Sequence, residues 1–316
     1  MVVEITAENA GRRLDKFLFA YFNNVPHSFI YKMLRKKRIK LNGGRAMGNE
    51  LLQAGDELRF YLSPETIESS RKPRIFDPAP PLTDIIFEDE NLLVVNKPAG
   101  LPSQGGMKER PARADHLLAR ILYYLQEKGG RFEDFTPAIC NRLDVNTSGL
   151  VICGKTLHAL QTINAAFANR EVDKEYTAIV HGVMGSPGDS KTLEGFYHKD
   201  PHSNIATIFD EIACVPKGGA TGTLAITSYT VLATAKDYTL LSVKPITGRS
   251  HQIRAHLASI GHPLAGDKKY GGKPTPYAPA QLLHCRRMEA ADLPYAASWE
   301  APLPQGLQKC LREWFV

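Results

Sequence analysis

Cysteine is scarce in this 316-residue chain: Cys140, Cys153, Cys214, Cys285 and Cys310 form an odd, scattered set with no CxxC pair. That argues against a disulfide framework and a cysteine zinc site, and it fits a reducing compartment. Long apolar runs are also missing. No stretch approaches the roughly 18 consecutive apolar residues that a membrane span needs. The N-terminus carries acidic side chains and no apolar signal core, so a cytoplasmic protein without a membrane partner is expected. The histidines show no HExxH or paired Cys/His spacing, and no metal site is expected. Net charge is absent from most of the chain. Residues 76–316 hold 25 Lys and Arg and 25 Asp and Glu, whereas residues 1–75 hold 14 against 8. The whole excess of +6 therefore sits in the first quarter. A compact basic module on a neutral body points to a polyanion partner, nucleic acid first.

The length suits two domains. Leu14, Phe17, Leu18 and Tyr21 recur at helical spacing, and Asn23-Asn24 breaks the run. Pro26 opens a second apolar stripe of Phe29, Ile30, Met33 and Leu34. That helix runs into Arg35, Lys36, Lys37 and Arg38, cations suited to the negative end of its dipole. Ile39-Lys40-Leu41 reads as a strand closed by the turn Asn42-Gly43, and Glu57–Leu62 alternates like another. Five prolines between 63 and 81 dissolve the pattern into a linker. Beyond it, strands are predicted at Ile85–Glu88, Leu92–Asn96, Leu150–Cys153, Glu175–Val180, Thr223–Leu232 and Thr239–Val243. Helices are predicted at Arg113–Gln126, Leu157–Asn169 and Ser250–Ile260. This irregular order predicts an α+β fold, with domains over 1–62 and 82–316 joined by the 63–81 linker.

The ordered set Arg12–Leu18, Tyr31–Arg38, Ile39–Gly43 and Ala54–Leu58 resembles the S-four-like RNA-binding domain, also called the alpha-L motif. The resemblance implies that Arg35, Lys36, Lys37 and Arg38 meet RNA phosphates, contacts that position RNA without reading its sequence. A solvated face is the competing reading for each of these charges.

The densest motif is Asn141-Arg142-Leu143-Asp144-Val145-Asn146-Thr147-Ser148-Gly149-Leu150, a carboxylate in a loop of turn formers just before an apolar strand. Taken alone, Asp144 reads as a turn or capping residue. It has company: Asn96-Lys97-Pro98-Ala99-Gly100-Leu101 upstream, then Asp173-Lys174-Glu175-Tyr176, Thr247-Gly248-Arg249-Ser250-His251-Gln252-Ile253-Arg254 and Gly261–Asp267. With these in order, the chain resembles an RluA-type pseudouridine synthase over most of residues 82–290. The resemblance implies a mixed or antiparallel-sheet catalytic domain. It implies Asp144 as the essential carboxylate, Tyr176 packed against the uracil, Arg249 paired with Asp144, and Arg142 filling the space left by the extruded nucleotide. Ile253 and Leu264 would line the pocket, and His251 and Gln252 would brace the loop. Asn141 stands where the family usually has His, so no acid–base role is expected there.

Uridine becomes pseudouridine by breaking a C1′–N1 bond and making a C1′–C5 bond, with no redox change and no group transfer. No cofactor is therefore expected. The reaction wants an ionised carboxylate, and a neighbouring guanidinium favours that form against burial. Asp144 would attack the sugar, attack the base or act as a base. Large-subunit ribosomal RNA is the favoured partner, because shorter members acting on transfer RNA often lack the basic module, and a monomer is expected. A transfer-RNA synthase is the first rival. An assembly factor without catalysis is the second, and the presence of Asp144, Tyr176 and Arg249 argues against it.

Overall fold

The computed structural model describes residues 1–6, 9–72, 75–105, 115–130, 132, 135–216, 220–278, 280–290, 293–295 and 298–315. The N-terminal module contains β1 (Val2–Glu4), α1 (Leu14–Tyr21), α2 (His27–Arg35), β2 (Ile39–Leu41), β3 (Gly44–Arg45) and β4 (Glu57–Phe60). Its antiparallel sheet runs β1-β4-β2-β3. The two apolar stripes become its core: Leu14, Phe17 and Leu18 of α1 and Ile30 and Leu34 of α2 are buried with Leu58 and Phe60. Asn42 (φ 49°) and Gly43 (φ 75°) both turn left-handed. That is the two-residue hairpin geometry, which Asn and Gly adopt at least cost.

The segment predicted as a linker, 63–81, is divided. Ser63 caps α3 (Pro64–Ser69), accepting from the Thr66 amide at 3.3 Å. Ile67 of α3 joins the module's core. The side-chain amides of Asn23 and Asn24 donate to the Lys72 and Ser69 carbonyls at 2.9 and 2.7 Å. Phe76 belongs to the second domain instead: its N–H donates to Gln126 Oε1 at 2.7 Å, and its ring meets Phe132. The proline count hid α3, because Pro64 stands at a helix start, where a missing N–H costs nothing.

The second domain carries one mixed sheet. In chain order it contains β5 (Ile85–Glu88), β6 (Leu92–Lys97), α4 (Leu117–Glu127), β7 (Ala138–Ile139), β8 (Ser148–Gly154), α5 (Leu157–Asn169) and β9 (Asp173–His181). Then follow β10 (Ser190–Lys199), β11 (Ala206–Phe209), β12 (Ala220–Thr234), β13 (Tyr238–Pro245), α6 (Gln252–Ser259), β14 (Leu283–Glu289), β15 (Ser298–Glu300) and α7 (Gln305–Trp314). The strand order is β11-β10-β12-β13-β9-β14-β8-β6-β5, with β15 on β14 and β7 on β8. Among the described residues only β14 and β8 pair in parallel. β6 and β8 read as near-continuous apolar runs because both faces of the sheet are covered there. α5 spans the predicted residues. α4 begins later than predicted, because His116 caps it by accepting from the Ala119 amide. Residues 113 and 114 of that prediction lie outside the described residues.

Five strands of this domain, β7, β10, β11, β14 and β15, have no counterpart in the sequence reading. β10 carries Lys191, Glu194, His198 and Lys199, and β14 carries Arg286, Arg287 and Glu289, so neither shows an apolar run. β14 is nonetheless central. It lies between β8 and β9 and places Cys285 opposite Tyr176.

Gly149 of β8 makes this arrangement possible. Its φ is 119°, and a Cβ there would overlap the Cys285 carbonyl and sit 2.5 Å from the Cys285 amide nitrogen. Gly149→Ala is expected to destabilise the protein by about 2 kcal/mol or more, through strain and overpacking together. The shift in the urea unfolding midpoint measures it.

Candidate active site

Asp144 stands in the loop that leads into β8, and three neighbours fix the backbone of that loop. Lys97, fully buried at the end of β6, donates from Nζ to the carbonyls of Pro98, Leu101 and Val145 at 2.9, 2.8 and 3.0 Å. Burial pushes its ammonium down to about 7, while Asp144 pulls the other way. Ser103 Oγ donates to the Leu143 carbonyl and accepts from the Leu143 amide. Asn141 accepts from the Ile152 amide and donates to the Leu150 carbonyl, so it serves as a rung beside β8. This accounts for an amide where the family usually has His: the position is used for backbone pairing.

The carboxylate of Asp144 is about one-fifth exposed, and its Oδ2 accepts from Arg254 Nη1 at 3.0 Å. The same guanidinium forks onto Asp267, with Nε to Oδ2 at 2.7 Å and Nη2 to Oδ1 at 2.8 Å. Arg254 is held firmly protonated by these carboxylates against burial. The ring of Tyr270 lies against its face, 4.7 Å from the guanidinium carbon. No described residue donates to Asp144 Oδ1, and the side chain keeps about one-fifth of its surface exposed.

The expected pairing of Asp144 with Arg249 is therefore corrected. Arg249 lies in the exposed turn before α6 and forms no ion pair among the described residues. Arg254 lies on the buried face of α6. The motif contains two arginines, and the helix start decides which one points inward. Gln252 sets that start. Its Oε1 accepts from the Arg249 amide and the Thr247 hydroxyl, and its Nε2 donates to Ile226 O and Thr227 Oγ1. His251, the residue before α6, is left-handed (φ 59°), and its Nε2 lies 3.8 Å from Asp144 Oδ2.

Tyr176 on β9 is buried, with Cys285 of β14 opposite it in the ladder. Burial first, then Cys285 and Asp144, raise its pKa well above the ordinary value, so the phenol keeps its proton. Ile253 and Leu264 share the main core with Tyr176. Arg142 is exposed two residues before Asp144; burial, then Lys269, Arg254 and Arg142, lower the Lys199 ammonium pKa, while Asp144 raises it. Lys199 Nζ donates to Ser250 Oγ at 2.8 Å. Lys97, Arg254 and Asp267 were legible only as motif members without a role. In the N-terminal module, Arg35 at the end of α2 and Lys36, Lys37 and Arg38 just after it are all exposed. A cavity of about 500 Å3 bounded by Met1, Leu62, Ile67 and Arg71 also lies there, apart from the Asp144 residues. Among the described residues no group of three or more His, Cys, Asp or Glu side chains could hold a metal ion.

Residues 91–259 match the model of a family described as RNA pseudouridylate synthase. The chain is 30% identical to ribosomal large subunit pseudouridine synthase C of Vibrio cholerae, over 86% of this chain and 80% of that protein. It is 30% identical to an uncharacterised RNA pseudouridine synthase of Bacillus subtilis, over 98% of this chain and 97% of the relative. The synthase C of Escherichia coli K12 is also 30% identical, over 99% and 96%. The solved structure of human RNA pseudouridylate synthase domain containing 1 superposes with a TM-score of 0.56 at 21% identity, covering 73% of this chain and 87% of that one. That likeness shows a shared fold.

Arg254→Gln is expected to cost about 3–5 kcal/mol, because it strands a buried carboxylate. Adding Asp267→Asn should recover part of that cost, which a double-mutant cycle in urea measures. Arg249→Gln should stay within about 0.5 kcal/mol of the parent, as surface changes do.

Proposed function

The chain belongs to the RNA pseudouridylate synthase family, and on that premise we propose that it isomerises uridines of large-subunit ribosomal RNA with Asp144 as the reacting carboxylate. The observation that carries this reading is the Asp144–Arg254–Asp267 array beside Tyr176. Arg254 neutralises developing charge without being able to lose its own proton. It holds Oδ2 and leaves Oδ1 toward the substrate, as attack on sugar or base, or proton removal, requires. Tyr176 packs against the uracil and donates from its phenol. Ile253 and Leu264 back that wall and keep it dry, so that a detached uracil is retained.

A uridine inside a stacked helix is out of reach, so the target nucleotide must be extruded at a cost of a few kcal/mol. Arg142, exposed two residues before Asp144, is placed to fill the vacated space. The names of the relatives support ribosomal RNA as the partner. The basic excess of the N-terminal module supports it too, since the body beyond residue 75 is neutral. The module's paired helices, small sheet and exposed run 35–38 fit the S-four-like reading, with phosphate as the ligand. The reaction conserves redox state and transfers no group, so it calls for no cofactor. A monomer working in the cytoplasm completes the proposal.

Asp144→Asn should lower the single-turnover rate by about 10³-fold or more, as removal of a group essential to the chemistry does. Tritium release from C5-labelled ribosomal RNA gives the rate, and filter binding should give a near-parental Kd. A variant that releases tritium at the parental rate would remove Asp144 from the reaction.

The second expectation concerns Arg35, Lys36, Lys37 and Arg38. Replacing all four with Gln should flatten the salt dependence of binding by about 0.7 in log–log slope for every phosphate that is no longer neutralised. Identical slopes for parent and variant would make the run a solvated face.

A further inference from the structure

His251 stands beside Asp144, and the proposed chemistry assigns it no step. It takes a left-handed conformation that only small polar side chains adopt cheaply. Its ring is buried and points two ways: Nδ1 lies 2.9 Å from the Tyr270 hydroxyl, and Nε2 lies 3.8 Å from Asp144 Oδ2.

The proton on that ring can be located from the chain of partners. The Ala206 amide, at the start of β11, lies 2.8 Å from the Tyr270 hydroxyl oxygen. A backbone N–H only donates, so the Tyr270 oxygen accepts there. Among the described residues the Tyr270 proton then has His251 Nδ1 as its acceptor, an arrangement in which Nδ1 presents a lone pair. A neutral imidazole with a lone pair on Nδ1 carries its hydrogen on Nε2. That N–H faces Asp144. The opposite tautomer would aim a lone pair at a carboxylate and leave the Tyr270 proton without an acceptor among the described residues. Burial lowers the imidazole pKa to about 4, and Arg254, Lys199 and Lys269 push the same way against Asp144, so the ring is neutral near pH 7.

We propose that His251 is a positioning residue for Asp144, a neutral imidazole whose Nε2–H is locked toward Oδ2 by the Ala206–Tyr270 chain. The 3.8 Å separation exceeds a hydrogen bond and closes to one with a shift of under about 1 Å, the kind of tightening that occurs when a reacting complex forms. Arg254 and His251 both address Oδ2, so the carboxylate cannot rotate and Oδ1 remains the reacting oxygen. A neutral donor orients the group without a second cation that would make it a poorer nucleophile or base. The β10–β11 hairpin acquires a task as well, since its backbone sets the tautomer.

The inference rests on the reading that Asp144 reacts, and the test separates the two. In the full-length protein labelled with 15N-histidine, the His251 resonance, assigned by its disappearance in H251Q, should show a protonated Nε2 and an unprotonated Nδ1. That pattern does not depend on activity and should persist in D144N. In single-turnover tritium release, H251N and Y270F should be about tenfold or more slower with Kd within about twofold. H251Q, which can place an amide N–H near the Nε2 position, should stay within about threefold of the parent. Asn tolerates the left-handed backbone better than Gln, so a purely conformational role predicts the reverse order. A proton on Nδ1, or H251N matching H251Q in rate, overturns the proposal. Activity surviving in D144N would overturn the assignment of Asp144 and leave the tautomer result intact.

Discussion

One guanidinium shared by two carboxylates is the constraint from which the site follows. Asp267 is almost inaccessible, and a carboxylate so placed needs a fully committed partner. Arg254 meets it with two parallel N–H groups and turns the third side of its fork to Asp144. A lysine is a point charge and could not hold both at once. The rotation of α6 about its axis and the place of the Gly266-Asp267 turn are thereby fixed relative to a loop 110 residues earlier in the chain.

The sheet supplies the second half of that constraint. Asp144 precedes β8, Tyr176 is on β9, and β14 lies between those strands with its backbone pressed against Gly149. The loop around Asp144 has no regular secondary structure of its own, so its polar backbone groups need other partners. Lys97 and Ser103 provide them, and Asn141, itself in the loop, ties it to the β8 backbone. Side chains from β6, the Ser103 loop and the motif itself thus hold the Asp144 loop in place.

Much of this was legible in the sequence. The helical stripes at 14–21 and 29–34, the strand at 85–88 and the helix at 157–169 all carry clear periodicity and match the structure. The motif around Asp144 and the strand carrying Tyr176 were also readable. The exceptions share a physical origin: the information lies in tertiary partners. Arg249 and Arg254 are equally plausible in the motif until the left-handed cap residue His251 and the hydrogen bonds of Gln252 set where α6 begins. β14 looks too charged to be central because only its first half is buried. α3 looks like linker because prolines flank it, and one buried residue, Ile67, anchors it. Lys97 next to a proline and a glycine resembles loop punctuation, and its three carbonyl partners come from two different segments.

The division of the 63–81 segment sets the reach of one domain relative to the other. Lys72 is bound to the N-terminal module and Phe76 to the catalytic domain, so only the bonds between them are available as a tether. Four residues of fully extended chain span no more than about 14 Å. Under the proposal that the module holds RNA phosphates, so short a leash presents that RNA to the second domain at an effective concentration in the millimolar range or above, provided the two sites can be occupied together. Capture by one domain then becomes an intramolecular event for the other. The same shortness is a ruler: a uridine whose distance from the captured phosphates in folded RNA does not fit that span gains nothing from the module, whatever its flanking sequence.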